Sequence, residues 1–153
     1  MSLAATPEAE NHGLVIAAAR DAAHQARPPA AVRVVVDESR FDSRRDADGW
    51  ESDDFPGSVG SLSALSVDGN EYRDDIPFFV APALHNGRMF GQMLSAAGVV
   101  VGARPEMGMA PEETETIVQL RSAPVSELVA HMLTESDNTY AELLTKEIGL
   151  VAS

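Results

Sequence analysis

The most constraining feature of this sequence lies near its carboxyl end, where residues 122–149 carry two runs of helical periodicity around three short polar residues. Apolar side chains recur three or four positions apart in both runs: Val125, Leu128, Val129, Met132 and Leu133, then Tyr140, Leu143, Leu144 and Ile148. This spacing predicts two amphipathic helices. Pro124 suits the start of the first helix, and Gly149 suits the end of the second. We therefore expect a helix pair joined by a tight elbow, Ser136-Asp137-Asn138.

The elbow residues have two interpretations. Ser, Asp and Asn all cap the amino ends of helices well, so the elbow can be a helix cap. Ser-Asp-Asn is also one of three motifs of the penicillin-binding and serine β-lactamase enzymes, the others being Ser-x-x-Lys and Lys-Thr-Gly. The serine there relays protons between nucleophile and leaving amine, and the asparagine amide holds the substrate carbonyl. A cap and a catalytic elbow can be the same residues.

The single lysine, Lys146, shows that both companion motifs are missing from this chain. A Ser-x-x-Lys motif would need serine three residues earlier, where Leu143 stands. A Lys-Thr-Gly motif would need threonine directly after the lysine, where Glu147 stands. Whatever Ser136 and Asn138 do, their usual partners are absent from this sequence.

Composition narrows the class of protein. The 153 residues suit one domain or a piece of a larger protein, and a hydrophobic content of 44% is enough for a core. A net charge of −13 argues against binding to nucleic acid or to an anionic membrane. The chain has no cysteine, hence no disulfide and no thiolate metal site. Residues 1–11 are interpreted as a leader without a signal peptide, and no cofactor is expected.

A metal site is also not expected. The segment from Asp46 to Gly49 resembles part of a calcium-binding loop. Arg44 and Phe55 stand where a first acid and the closing bidentate glutamate would be needed. The four histidines do not share ligand spacing, and His131 is interpreted as a surface or boundary residue of the first helix.

The remaining segments predict a mixed α and β fold. The expected elements are a helix at 12–26, strands at 32–36, 63–67, 78–80, 99–101 and 116–121, a helix at 82–97, and loops at 37–61 and 102–111. The 37–61 loop is long and acidic, and we expect Phe41, Trp50 and Phe55 to anchor it to the body. Loops of this length are often functional.

Several blocks in order resemble the serine D-alanyl-D-alanine carboxypeptidases and endopeptidases, the low-molecular-mass class C penicillin-binding proteins. Residues 35–41 resemble the family's Val-Asp-Asp-Ser-x-Phe block, and residues 63–69 its Ser-Ala-Leu-x-Val-Asp-Gly block. Residues 83–99 are similar to the helix that follows. Residues 121–124 and 136–142 resemble the end of the inserted domain and the re-entry into the catalytic domain.

The resemblance implies a parent enzyme that trims peptidoglycan stem peptides through an acyl-enzyme. It implies that Ser136 relays protons, that Asn138 binds substrate, and that Asp37 faces the free amino end of the stem peptide. Asp37 has an equally supported interpretation as a cap of the strand-to-loop turn. β-Lactams and stem peptides would be ligands of the parent, which would lie outside the cytoplasm in the cell envelope.

The missing motifs lead us to expect a fragment of a β-lactamase/transpeptidase-like α+β protein. Residues 12–121 would form its inserted domain and residues 122–150 a helix pair of its catalytic domain. Alone it should be inactive, and the exposed apolar face of the helix pair would favour a homodimer. The alternatives are a non-enzymatic envelope-binding or scaffolding module with this architecture, and an unrelated α+β domain with a chance Ser-Asp-Asn.

Overall fold

The computed structural model describes residues 17, 20, 21, 24, 25, 31–46, 48–55, 58–70 and 81–152. Its central helix, α1, spans Pro82–Ala96. A proline in the first helical turn favours this start, because its missing N–H would have no partner there. Ala83, Gly87, Gly91 and Leu94 are buried at intervals of three or four residues, so one face of α1 turns inward.

The core lies between α1 and a short parallel strand pair. Strand β1, Val35–Val36, pairs with β2, Glu106–Met107, and a bridge from Val32 to Val101 extends the pairing. Val34, Val36, Ala83 and Leu94 form the buried cluster. A methyl group added at Gly87 would lie 2.6 Å from Val36 Cγ1, so the glycine allows α1 to approach β1 closely.

A buried polar network joins α1 to the segment before it. The Asn86 side chain donates to Asn70 Oδ1 and to the Leu65 carbonyl, each at 2.9 Å. Asn70 is fully buried and donates in turn to the Ser61 carbonyl at 2.8 Å. These amide groups satisfy one another and backbone oxygens, which is the condition for burying them at little cost.

The helix pair forms the carboxyl end of the described chain. Helix α2 spans Val125–Glu135 and α3 spans Asn138–Ala152. The two helices pack on each other, yet large apolar side chains remain open: Leu133 is 73% exposed and Val151 is 82% exposed. No helix in the described part of the chain is both long enough and apolar enough to cross a bilayer.

The helix pair was predicted correctly, the described residues of 37–61 form the predicted long loop, and the mixed architecture is compatible with the α+β prediction. The predicted end at Gly149 was wrong, because α3 continues to Ala152. The predicted helix at 12–26 lies largely outside the described residues. The five residues of this range that are described are all helical. The predicted strand at 78–80 also lies outside them.

Several strand predictions were wrong. Residues 63–67 form bends, because the Ser63 hydroxyl accepts a hydrogen bond from the Leu65 N–H and so replaces a strand ladder. Residues 116–121 have no strand partner within the described chain, and Ile117 and Leu120 are exposed. Residues 99–101 contribute only the Val101 bridge, and the predicted loop at 102–111 contains β2.

Candidate functional site: an elbow between two helices

Ser136 lies at the joint between α2 and α3 in a left-handed backbone conformation. Its φ and ψ are 59° and 42°, and its N–H donates to the Met132 carbonyl to close the end of α2. Glycine is the usual residue at such a helix end, because a Cβ makes this conformation unfavourable by about 1–2 kcal/mol. Ser136 is also exposed. Strained backbone of this kind occurs more often at functional sites than elsewhere.

Asp137 is the residue that caps α3. Its Oδ1 accepts a 2.9 Å hydrogen bond from the Tyr140 N–H, as the helix-cap interpretation of the elbow predicted. Its Oδ2 lies 3.4 Å from Nε2 of His131, and both side chains are largely buried. His131 also packs edge-on against the Tyr140 ring, with centroids 5.2 Å apart. Side chains of both helices therefore lie close around the capping carboxylate.

The first residues of α3 are tied to the end of the acidic loop. Asn138 Nδ2 donates to the Ser58 carbonyl at 2.9 Å. Thr139, which is 2% exposed, accepts a 2.7 Å hydrogen bond at its hydroxyl from the Gly60 N–H. An asparagine NH₂ group has two donors and its oxygen two acceptor positions. Asn138 is therefore oriented by Ser58 and keeps further hydrogen-bonding capacity.

Polar contacts hold the acidic loop along the rest of α3. The indole Nε1 of Trp50 donates to Glu142 Oε1 at 2.7 Å. Arg40 forms a bidentate ion pair with Glu147: its Nε donates to Oε1 at 2.6 Å and its Nη2 donates to Oε2 at 2.5 Å. This pairing lowers the pKa of Glu147 and raises that of Arg40.

The single lysine takes part in the same docking. Lys146 Nζ lies 2.6 Å from Asp42 Oδ1, and this hydrogen bond is the main cause that lowers the pKa of Asp42. The ammonium also lies 6.0 Å from the centroid of the Phe41 ring. Phe41 and Trp50, two of the three anchors expected from the sequence, are partly buried and lie against Lys146 and Glu142 of α3.

Asp37 sits apart from the elbow. Its Oδ1 accepts from the Ser39 N–H at 2.9 Å, and its Oδ2 accepts from the Ala110 N–H at 2.7 Å. The Ala110 contact is the largest cause that lowers the pKa of this carboxyl. These bonds match the turn-cap interpretation. No hydrogen bond or ion pair of the described chain joins Asp37 to residues 136–138, and its substrate-binding role remains a prediction.

Sequence reasoning missed the three residues that hold the elbow in place: Ser58, Gly60 and Thr139. Ser58 contributes only a backbone carbonyl, for which a sequence gives no signal. Thr139 directly follows the elbow, and a small polar residue on the inner face of an amphipathic helix was the one available signal.

Two comparisons with known proteins bear on this arrangement. The family model of the D-Ala-D-Ala carboxypeptidase 3 (S13) family matches residues 78–153, which include α1, the helix pair and the elbow. Carboxypeptidase DacB of Mycolicibacterium smegmatis is 29% identical over 136 residues, covering 82% of this chain. No solved structure matches the chain.

This chain is thus similar to the S13 D-Ala-D-Ala carboxypeptidase family over residues 78–153, which confirms the resemblance predicted from its sequence. It spans 27% of the length of the curated relative that it matches.

Proposed function

We propose that this chain forms the inserted domain and the Ser-Asp-Asn helix pair of a serine D-Ala-D-Ala carboxypeptidase with a β-lactamase-like catalytic domain. The observation that carries this proposal is that the three elbow residues have different structural roles. Asp137 caps α3, and Asn138 is oriented by the Ser58 carbonyl. Ser136 stays exposed in a conformation that costs free energy. A simple helix cap needs only the first of these features.

In this proposal the elbow serves an acyl-transfer reaction. A serine outside this chain attacks the carbonyl between the two D-alanines, and an acyl-enzyme forms as the terminal D-alanine leaves. Ser136 relays to the leaving amine nitrogen the proton that the attacking serine hydroxyl loses. The Asn138 amide donates its remaining N–H to the substrate carbonyl. Water then hydrolyses the ester and restores the serine hydroxyl.

The sequence supports a second part of the proposal, that the isolated chain is inactive. The chain carries neither a Ser-x-x-Lys nor a Lys-Thr-Gly motif. Without a nucleophile and its activating lysine, an elbow can bind and orient but cannot be acylated. Stem peptides and β-lactams would be ligands of the complete enzyme, and its place would be the cell envelope.

Labelling with fluorescent penicillin tests the proposal. We expect the isolated chain to stay unlabelled, and the protein encoded by the whole reading frame to label on one serine of a Ser-x-x-Lys motif. Asp37→Asn in that protein tests the substrate role of Asp37 through the KM for stem peptides. A reading frame that ends at Ser153, with a product that never labels, would overturn the enzyme proposal in favour of the scaffolding module.

The exposed apolar side chains of α2 and α3 support a further proposal, that the isolated chain forms a homodimer through them. Leu133 on α2 and Val151 on α3 are the most solvent-exposed of the large apolar side chains on their respective helices. Sedimentation velocity should then show a dimer that Leu133→Glu disrupts. A wild-type chain that sediments as a monomer would contradict the proposal.

A further inference from the structure

A groove of about 770 Å³ runs between α1 and residues 101–105, on a different part of the described surface from the elbow. Arg88, Gln92 and Ser95 line it from α1, and Arg104 lines it from the facing segment. The three α1 residues lie four and then three positions apart, which places them in one row along the helix. Their guanidinium, amide and hydroxyl groups can all donate hydrogen bonds.

The charge of this groove is opposite to that of the chain. The chain has 24 acidic residues and a net charge of −13. None of the described residues that line the groove is Asp or Glu, whereas two are arginine. A concave surface with one sign of charge raises the local concentration of oppositely charged ligands. The groove is therefore suited to an anion.

Among the residues that the structure describes, these two arginines have no carboxylate partner, unlike most of the other arginines. Within the described chain, Arg33, Arg40, Arg44 and Arg45 all form ion pairs with Asp or Glu. Arg88 and Arg104 form none there, although acidic residues are abundant. Arginine is strongly favoured where a planar carboxylate or a phosphate must be recognised by two parallel hydrogen bonds. Each wall therefore carries an arginine whose hydrogen-bonding capacity is not used by any described carboxylate.

Gly87 determines how closely the two walls of the groove, which carry the two arginines, approach each other. A methyl group added at Gly87 would lie 3.1 Å from Pro105 Cβ, besides its close approach to Val36. The absence of a side chain therefore lets α1 lie close to the end of the 101–105 segment. Arg88 follows this contact directly and is exposed, as is Arg104 one residue before Pro105. The tight backbone approach fixes the separation of the two walls.

We propose that this groove binds an oxyanion, a carboxylate or phosphate group, carried on an extended ligand. Arg88 and Arg104 would hold the oxygens, with Gln92 and Ser95 donating to neighbouring polar atoms. Val34 and Val101 give the groove an apolar side for the rest of the ligand. The inference does not depend on the carboxypeptidase proposal, because it uses no residue of the elbow.

The test is a titration of the full 153-residue chain, followed by amide chemical shifts. The probes are inorganic phosphate, an acetylated dipeptide with a free carboxylate, and the same dipeptide amidated. We expect saturable shifts around residues 88–95 and 102–104 with the first two probes, and none with the amidated dipeptide. Tighter binding of the dipeptide would identify a peptide carboxylate as the source, and tighter binding of phosphate a phosphate ester.

Substitution then separates binding from general charge. Arg88→Gln and Arg104→Gln should each weaken binding at least ~10-fold, the loss of a charge-assisted hydrogen bond. Arg121→Gln is the matched control, because Arg121 is exposed and has no ion pair within the described chain. The proposal is overturned if the wild-type shifts lie elsewhere or do not saturate. It is also overturned if Arg121→Gln weakens binding as much as the groove variants do.

Discussion

The hydroxyl of Thr139 accepts a hydrogen bond from the Gly60 N–H at 2.7 Å, and this contact ties the residue after the elbow to the end of the acidic loop. Thr139 and Gly60 are both buried, so water cannot replace either partner. The position of Asn138, the residue before Thr139, thus depends on a contact between two residues that are 79 positions apart in the chain.

Removing only the Thr139 hydroxyl should destabilise the chain. Thr139→Val keeps the shape of the side chain but leaves a buried N–H unsatisfied, and we expect it to lower the free energy of unfolding by about 1–3 kcal/mol. Thr139→Ser keeps the hydroxyl and loses one methyl group, at a cost of about 1 kcal/mol. Urea unfolding measures both. A valine variant as stable as the wild type would show that the hydrogen bond does not hold the elbow.

Two glycines should respond in opposite directions to the same substitution. A methyl group at Gly60 would lie 1.7 Å from the Gly69 carbonyl oxygen, so Gly60→Ala forces backbone apart and should destabilise by about 3 kcal/mol or more. Gly149 lies within α3 with nothing within 4 Å of an added methyl group. Gly149→Ala should therefore stabilise by about 0.5–1 kcal/mol. Thermal unfolding of the pair checks this, and equal shifts would contradict the packing described.

Ser136 is expected to show a conflict between stability and function. Glycine adopts the left-handed conformation without strain, so Ser136→Gly should raise stability by up to about 1 kcal/mol, offset in part by a more flexible unfolded chain. Ser136→Ala keeps the Cβ and should bring no such gain. Guanidinium unfolding compares the two variants. A glycine variant less stable than the alanine variant would contradict the strain inferred at this elbow.

The helix pair was predictable because its apolar spacing is local. Asp137 as a cap was also within reach, since capping depends on residues only three apart. Strand β1 lies within the predicted strand at 32–36. Strand β2 was not predictable, because it forms only where Glu106–Met107 meets β1, and a pattern in residues 102–111 cannot show that partner. The orientation of Asn138 was equally out of reach, since it depends on a backbone carbonyl of a distant loop.

Acid should release the acidic loop from α3. The pKa values of Asp42 and Glu147 are lowered by Lys146 and Arg40. Because the folded values lie below the unfolded ones, which are about 3.9 for Asp and about 4.3 for Glu, the stabilisation is complete only well above those unfolded values. It is lost as the pH falls from them through the lowered folded values.

Trp50, the single tryptophan, reports this release through its fluorescence. We expect its emission to shift to longer wavelength as the pH falls, with the midpoint moved to higher pH in Arg40→Gln. Arg33→Gln is the control, because Arg33 pairs with Glu106 of β2 outside the loop. An identical midpoint in Arg40→Gln and the wild type would rule out this docking contact as the cause.

The central claim is that Ser136 acts on a nucleophile supplied from outside this chain. The most direct measurement is the rate of acylation by benzylpenicillin of the protein encoded by the whole reading frame, compared between Ser136→Ala and Ser126→Ala. Both serines are exposed, and Ser126 lies in the first turn of α2. The account predicts that loss of the proton relay slows acylation by about 10²–10⁴-fold in Ser136→Ala and leaves Ser126→Ala unchanged. Equal rates in the two variants would contradict it.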